Sequence, residues 1–311
     1  MRLARRSPHL QVADEAFVIV NGHASSAADA RALLTEVVDH VRGAGARADG
    51  VVTRDDDEFR AALEQAGDRR AVLVGGDGTL HTALNLPIEL PELALIPAGR
   101  ANNIARALGL PDDHRAAARV AVAGPAAIVD TLVVESGGRS TYTLEALSAG
   151  LQADARGRYR SENSADLGAG VHALAQAMRA YHPYRLELEI DGETAFAGAA
   201  GQVFLANMPF FGFGFKIDPF ADPSDGLLEA IVLEAPSRVS AAALLMSVYR
   251  GHHLHRAGVH VRRGRSARLT GPLPMASDGE PLGIRSAAVT VEHGRLRLAM
   301  SERPAEAPWQ A

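Results

Sequence analysis

The residues hardest to explain as ordinary folding are Gly75, Gly76, Asp77, Gly78 and Thr79, inside the run AVLVGGDGTLHTAL over 71–84. Four apolar residues lead into the glycines, and a helical pattern follows. Glycine tolerates positive φ and lets backbone N–H groups come close to an anion. A helix N-terminus adds a favourable dipole and free N–H donors for phosphate. A carboxylate in such a loop is out of place for anion binding alone. Asp77 makes chemical sense if it holds a magnesium ion or accepts a proton, and phosphoryl transfer needs both services. The competing reading is a tight strand-to-helix turn in which Asp77 or Thr79 caps the helix.

The elements that must position this loop follow from periodicity. Strand-like runs at 17–21, 50–53, 71–74 and 93–96 alternate with helical patterns at 28–41, 57–65, from Thr79 onward, and at 102–108. Leu33, Leu34, Val37, Val38 and Val41 share one side of the first helix. This alternation predicts an α/β domain over 1–130, a doubly wound parallel sheet with helices on both faces and ligands at the carboxyl ends of its strands. Beyond Asp130 the texture changes to many short strands (131–135, 142–147, 185–190, 202–206, 227–233, 259–261, 267–269, 287–292 and 295–299) with helices at 168–180 and 239–249. Gly, Pro and Asp turns between them predict a mostly antiparallel β-sandwich domain over 131–301, with a loose tail over 302–311.

Composition narrows the function classes. A chain of 311 residues has room for two cores, and a net charge of -5 argues against an electrostatic nucleic-acid binder. The chain has no Cys, which excludes disulfides, thiolate zinc sites and cysteine nucleophiles and suits a cytoplasmic protein. No apolar run approaches the roughly 20 residues of a membrane span, and none follows the basic N-terminus MRLARRSPHL. Membrane contact is therefore expected to be peripheral and transient.

The pentad GGDGT resembles the hallmark of the diacylglycerol kinase catalytic domain superfamily, which includes sphingosine kinases and, more distantly, NAD kinases. It is not a Walker A loop, since no Gly-Lys-Ser/Thr follows. Four more segments are similar to family motifs in the same order. IPAGRANNIARALGLP at 96–111 resembles the second glycine loop, and AGLQADA at 149–155 resembles the G-F-x-A-D segment. DPFADPSDGLL at 218–228 resembles the P-x-A-x-x-x-D-G segment that often carries a metal, and SDGE at 277–280 resembles the late D-G-E. The resemblance implies ATP and Mg2+ as cofactors, a lipid hydroxyl as phosphate acceptor, and an active site in the interdomain cleft. It implies that Gly75, Gly76, Gly78, Thr79, Gly99, Asn102, Asn21, Thr53 and Glu280 bind the nucleotide. It offers Asp77 and Asp278 as alternative general bases, Asp154 as the residue that holds the lipid's polar head, and Asp222 with Asp225 as metal ligands.

Each minor signal has a plainer reading. Asp154 also suits a surface carboxylate at a strand end, and Asp222 with Asp225 suits a turn with Asx hydrogen bonds. His252, His253 and His255 read as a solvated loop. Arg256, Arg262, Arg263, Arg265 and Arg268 read as a solvated strand face, or as a patch for anionic headgroups. Phe210, Phe211, Phe213 and Phe215 read as core beside a turn, or as a lip facing lipid. Against the family pattern, Gly22 stands in place of Pro, Thr82 of Glu, Arg100 of Thr or Ser, and Asn103 of Asp. The leading expectation is a lipid kinase with no nucleic-acid partner, a homodimer being left open. The alternatives are an NAD kinase and a nucleotide- or lipid-binding module with impaired catalysis.

Overall fold

The computed structural model describes residues 13–22, 27–158, 167–212 and 214–300; the MRLARRSPHL run, Phe213 and the 302–311 tail lie outside the described residues. The chain divides into two compact units, one reaching to Ile128 and rejoined from Leu296, the other running from Val129 to Arg295. The return of the last strand to the first unit is a feature the linear division at 130 and 301 does not contain.

In the first unit β1 (Glu15–Asn21), α1 (Ala27–Gly43), β2 (Arg47–Thr53), α2 (Asp56–Ala66), β3 (Arg70–Gly75), α3 (Asp77–Asn85), β4 (Leu93–Pro97), α4 (Asn103–Ala107) and α5 (His114–Ala123) follow one another. The strands are parallel in the order β2-β1-β3-β4. Ala16–Val20 and Ala71–Val74 are buried along their whole length, as expected where both sheet faces are covered. β2 begins earlier than its apolar pattern because it is the edge strand, where Asp49 meets Arg69 at 2.7 Å. α5 escapes periodicity because its buried face is Ala117, Ala118, Ala121 and Val122. Its cap is legible all the same, since the Asp113 carboxylate accepts the Ala116 N–H at 2.8 Å.

The second unit holds β5 (Ala126–Ser136), β6 (Arg139–Thr143), β7 (Ala146–Gly150), α6 (Leu151–Arg158), α7 (Leu167–Ala180), β8 (Tyr184–Ile190), β9 (Glu193–Ala200), β10 (Gln202–Ala206), β11 (Phe210–Phe211), β12 (Phe215–Lys216), β13 (Leu228–Leu233), α8 (Arg238–Tyr249), β14 (Val259–Gly264), β15 (Ser266–Thr270), β16 (Met275–Ser277), β17 (Glu280–Pro281) and most of β18 (Ser286–Ala299). One antiparallel sheet runs β14-β13-β10-β7-β16-β17, and a second set pairs β18, β15, β8 and β9. Leu147, Val203, Leu205 and Val232 of the first meet Leu186, Leu188, Leu269 and Val289 of the second in one core. The alternate residues Phe204, Ala206, Ile231 and Leu233 pack against Tyr181 and against Ala241, Leu244 and Val248 of α8. Period-two alternation with both faces covered explains why QVFLA and LEAIVL read as unbroken apolar runs. No helix among the described residues is long and apolar enough to cross a membrane.

The single strand expected at 142–147 is two strands, β6 and β7. The cause is chemical. The N–H groups of Leu144, Glu145 and Ala146 all donate to the Asp278 carboxylate, so the ladder breaks at Leu144 and Glu145 and resumes at Ala146, opposite Ala206.

Candidate active site

β3 and β4 are parallel neighbours, so their carboxyl ends carry two loops side by side. The ladder runs to its last rung, Gly75 opposite Pro97, and the Ala98 N–H still donates to the Gly75 carbonyl at 2.9 Å. A Cβ on Gly76 would lie 2.9 Å from the Gly99 Cα, and one on Gly99 would lie 2.6 Å from the Gly76 Cα. A Cβ on Gly75 would collide with the Thr79 hydroxyl. These three glycines are thus required by packing alone. Gly78 differs, for a Cβ there meets nothing within 4 Å. The N-terminus of α3, capped by no side chain at Gly76, leaves an open backbone surface at Gly78. That is the surface a phosphate needs.

Several side chains expected at the nucleotide have local work. Asn102, in the left-handed region at φ 46°, clasps Gly99 in both directions: its Oδ1 accepts the Gly99 N–H at 3.0 Å and its Nδ2 donates to the Gly99 carbonyl at 3.1 Å. Thr79 is buried and its Oγ1 accepts from Asn21 Nδ2 at 3.3 Å. Thr53 is also buried and donates to the Val20 carbonyl at 3.4 Å. Asn21 and Thr53 are register partners at the ends of β1 and β2. Together these bonds shape the strand ends and the loop that carry the candidate site.

Asp77 is bonded to the start of α4. Its carboxylate accepts the N–H groups of Asn103 and Ile104, each at 3.0 Å, and so caps α4. Asn103 is buried there, and an acid in its place would set a second negative charge beside Asp77. Asp278, also left-handed at φ 43°, accepts from Leu144 and Glu145 at 2.8 Å and from Ala146 at 3.1 Å. The turn after it is clamped from α6: Arg156 Nε donates to the Gly279 carbonyl at 2.6 Å, and its guanidinium meets Glu280 at 3.0 Å. Sequence reasoning passed over Arg156, which immediately follows the 149–155 segment read as a motif.

Asp154 lies in the first turn of α6, not at a strand end, and pairs with Arg158 at 3.0 Å. Burial raises the pKa of the Tyr184 hydroxyl, and the Asp154 charge adds to the rise. The Asp222 carboxylate accepts from the Ser224 N–H at 3.0 Å and the Ser224 hydroxyl at 2.6 Å, while Asp225 meets Arg263 at 2.5 Å. No group of three or more His, Asp or Glu among the described residues is arranged to hold a metal ion. Arg263 also pairs with Glu229, a buried carboxylate whose second oxygen has no hydrogen-bond partner. Burial first, and the neighbouring Asp218 second, push the Glu229 pKa up to about 7 despite the Arg263 charge.

Two expectations need correction. Phe211 is buried in the core under α8 and Phe210 is buried as well, so they form no lip toward lipid; Phe215 is half-buried. His253 is no solvated residue: it is fully buried, its Nε2 is 2.8 Å from the Ile217 carbonyl, and burial lowers its pKa.

A parallel α/β unit whose sheet ends in paired glycine loops, followed by an antiparallel sandwich, is the plan of GGDGT-type kinases. The model for the "Diacylglycerol kinase catalytic domain" matches residues 15–134, and that for the "YegS C-terminal NAD kinase beta sandwich-like domain" matches 146–300. A Chromohalobacter salexigens protein named "Probable lipid kinase YegS-like" is 31% identical over 240 residues, covering 70% of this chain and 71% of its own. A Mycobacterium tuberculosis diacylglycerol kinase is 27% identical over 240 residues, covering 74% of this chain and 77% of its own. In fold, the chain is similar to a diacylglycerol kinase from Bacillus anthracis, with a TM-score of 0.68, 17% identity, and coverage of 93% of this chain and 98% of that one. The chain belongs to the YegS-like lipid kinases of the diacylglycerol kinase superfamily. It is a phosphotransferase with an alcohol group as acceptor.

Proposed function

We propose that this chain transfers the γ-phosphate of ATP, with Mg2+, to a hydroxyl of a diacylglycerol- or sphingoid-like lipid. The observation that carries the nucleotide half is the open backbone at Gly78 beside an α3 N-terminus without a side-chain cap. Backbone donors there would hold phosphate, with Gly76 and Gly99 setting how closely the two loops approach. Because Asp77 is turned onto α4, its charge opposes an incoming phosphate less than one aimed across the loop. Mg2+, when bound, would neutralise phosphate charge. Asp222 and Asp225 are occupied by Ser224 and by Arg263, a poor fit to a protein cage for the ion.

A carboxylate must take the acceptor's proton, and Asp77 and Asp278 remain the two candidates. Both are immobilised by backbone donors, so either would act as a preorganised acceptor that loses no side-chain freedom at the reaction. The test is transfer of labelled phosphate from ATP to a mixed lipid extract, with NAD as rival acceptor. A labelled lipid that is lost in Gly78→Val supports the reading. Labelled NADP alone would make the chain an NAD kinase, and ATP binding without transfer would make it a binding module.

A further inference from the structure

The described residues include five large apolar side chains that are strongly exposed, and four of them cluster. Val239 (80% exposed), Met246 (48%) and Tyr249 (53%) lie on α8, and Phe220 (67%) lies on the loop packed against that helix's C-terminal end. The loop is fixed to the helix end in two ways. The Phe215 ring meets Tyr249 edge-on at 5.5 Å, and the His253 that follows α8 bonds the Ile217 carbonyl. The Asp218 carboxylate accepts the Phe220 N–H at 2.8 Å, which holds the turn that carries Phe220.

α8 is apolar on both sides. Ala241, Leu244 and Val248 are buried against β10 and β13, whereas Val239, Ala242, Ala243, Met246 and Tyr249 recur at helical spacing on the exposed side. Exposed apolar residues scattered singly need no explanation, but a helix face of them does. Among the described residues, the charges beside this face that lack a partner are positive. Arg238 and Arg250 flank the helix, Lys216 lies beside Gly251, and none of the three forms an ion pair among the described residues. No Asp or Glu occurs between Glu234 and Asp278, in a chain of net charge -5. By contrast, Arg263 and Arg268 of the denser arginine stretch are paired with Asp225, Glu229 and Glu189. Two acids on the Phe220 loop face solvent, Asp222 and Asp225; Ser224 occupies the first carboxylate and Arg263 the second.

We propose that the exposed face of α8, with Phe220 at its C-terminal end, docks this chain on an anionic bilayer surface. Val239, Met246, Tyr249 and Phe220 enter the boundary of the acyl region, and Arg238, Arg250 and Lys216 meet anionic headgroups. The proposal takes its motive from the lipid-acceptor reading, but binding to vesicles is measured without ATP or turnover.

The experiment is flotation of the full chain with phosphatidylcholine vesicles, with and without phosphatidylglycerol, at low and high salt. The wild type floats with the phosphatidylglycerol vesicles at low salt. The pair Val239→Asp and Met246→Asp, and separately Arg238→Glu and Arg250→Glu, lower the bound fraction on the order of tenfold. Val171→Asp, which changes the exposed apolar residue of α7, leaves it unchanged. Circular dichroism identical to wild type excludes misfolding of the α8 variants. The proposal is overturned if the wild type binds neither vesicle, if the α8 variants bind like wild type, or if Val171→Asp loses binding equally. It is also overturned if Val239→Asp converts a dimer to a monomer without any vesicle binding, which would make the face a contact between copies. Turnover of an acceptor dispersed in detergent separates this from the function itself. α8 variants keep that turnover, whereas a wild type that docks through α8 yet transfers no phosphate would refute only the kinase reading.

Discussion

Asp77 and Asp278 lie in different units, and both carboxylates are filled with backbone N–H donors, but they are held for different reasons. Asp77 acts over a short sequence distance. It leaves the end of one parallel strand and caps the helix that follows the next, a geometry set by the β3–β4 ladder. Asp278 reaches back over more than a hundred residues and satisfies three consecutive N–H groups that a sheet partner would otherwise take. The first is an addition to regular structure, while the second substitutes for it. A carboxylate in a motif can therefore be structural and poised for chemistry at once, and only measurements that read both properties separate the two.

The largest stability effect should come from Asp278→Ala. It orphans buried N–H groups and puts alanine in a left-handed conformation, so unfolding should become easier by about 3 kcal/mol or more in denaturant melts. Asp278→Asn keeps one acceptor oxygen and tolerates the backbone, and should cost clearly less. If it also keeps turnover, Asp278 is not the general base. Asp77→Ala should cost about 1–2 kcal/mol, the value of a helix cap, while abolishing phosphate transfer. Near wild-type turnover in the purified variant would remove Asp77 from the chemistry and leave it only a cap.

Glu229 tests how far the second unit tolerates an awkward charge. Its folded pKa of about 7 lies above the ordinary value of 4.5, so between those values the folded chain holds a proton that the unfolded chain has lost. Stability from this group is therefore present below pH 4.5 and falls as pH rises toward 7. Relative to Glu229→Gln, the wild type should lose on the order of 3 kcal/mol across that window. Parallel stability curves for the two proteins would show that Glu229 titrates normally. The smallest stability effect belongs to Gly78→Ala, where the added Cβ meets no atom and φ is not positive. Its melting should change by no more than about 0.5 kcal/mol, while ATP affinity drops because the methyl occupies the phosphate approach. Gly76→Ala should do the reverse, losing stability through contact with Gly99. Equal behaviour of the two variants would end the distinction between packing glycines and approach glycines.

The alternation of buried strands and amphipathic helices, the switch to short antiparallel strands after Asp130 and the position of the glycine loop were all present in the sequence. Burial imposes period 2 or 3.6 on residues that are neighbours along the chain. The same locality explains what was missed. α5 buries alanines, which carry little hydrophobic signal, and β2 is an edge strand whose polar residues hide its start. Whether a glycine is needed by a neighbouring backbone, where a carboxylate finds its donors, and which phenylalanines are covered depend on residues far apart in sequence. Gly76 against Gly99, Asp278 against Leu144–Ala146, and Phe211 under α8 are such cases. Residue types and spacing named the chemistry this chain can carry. Tertiary packing decided which of those residues are spent on holding the fold, because hydrogen-bond donors and close contacts are assigned in space and not along the chain.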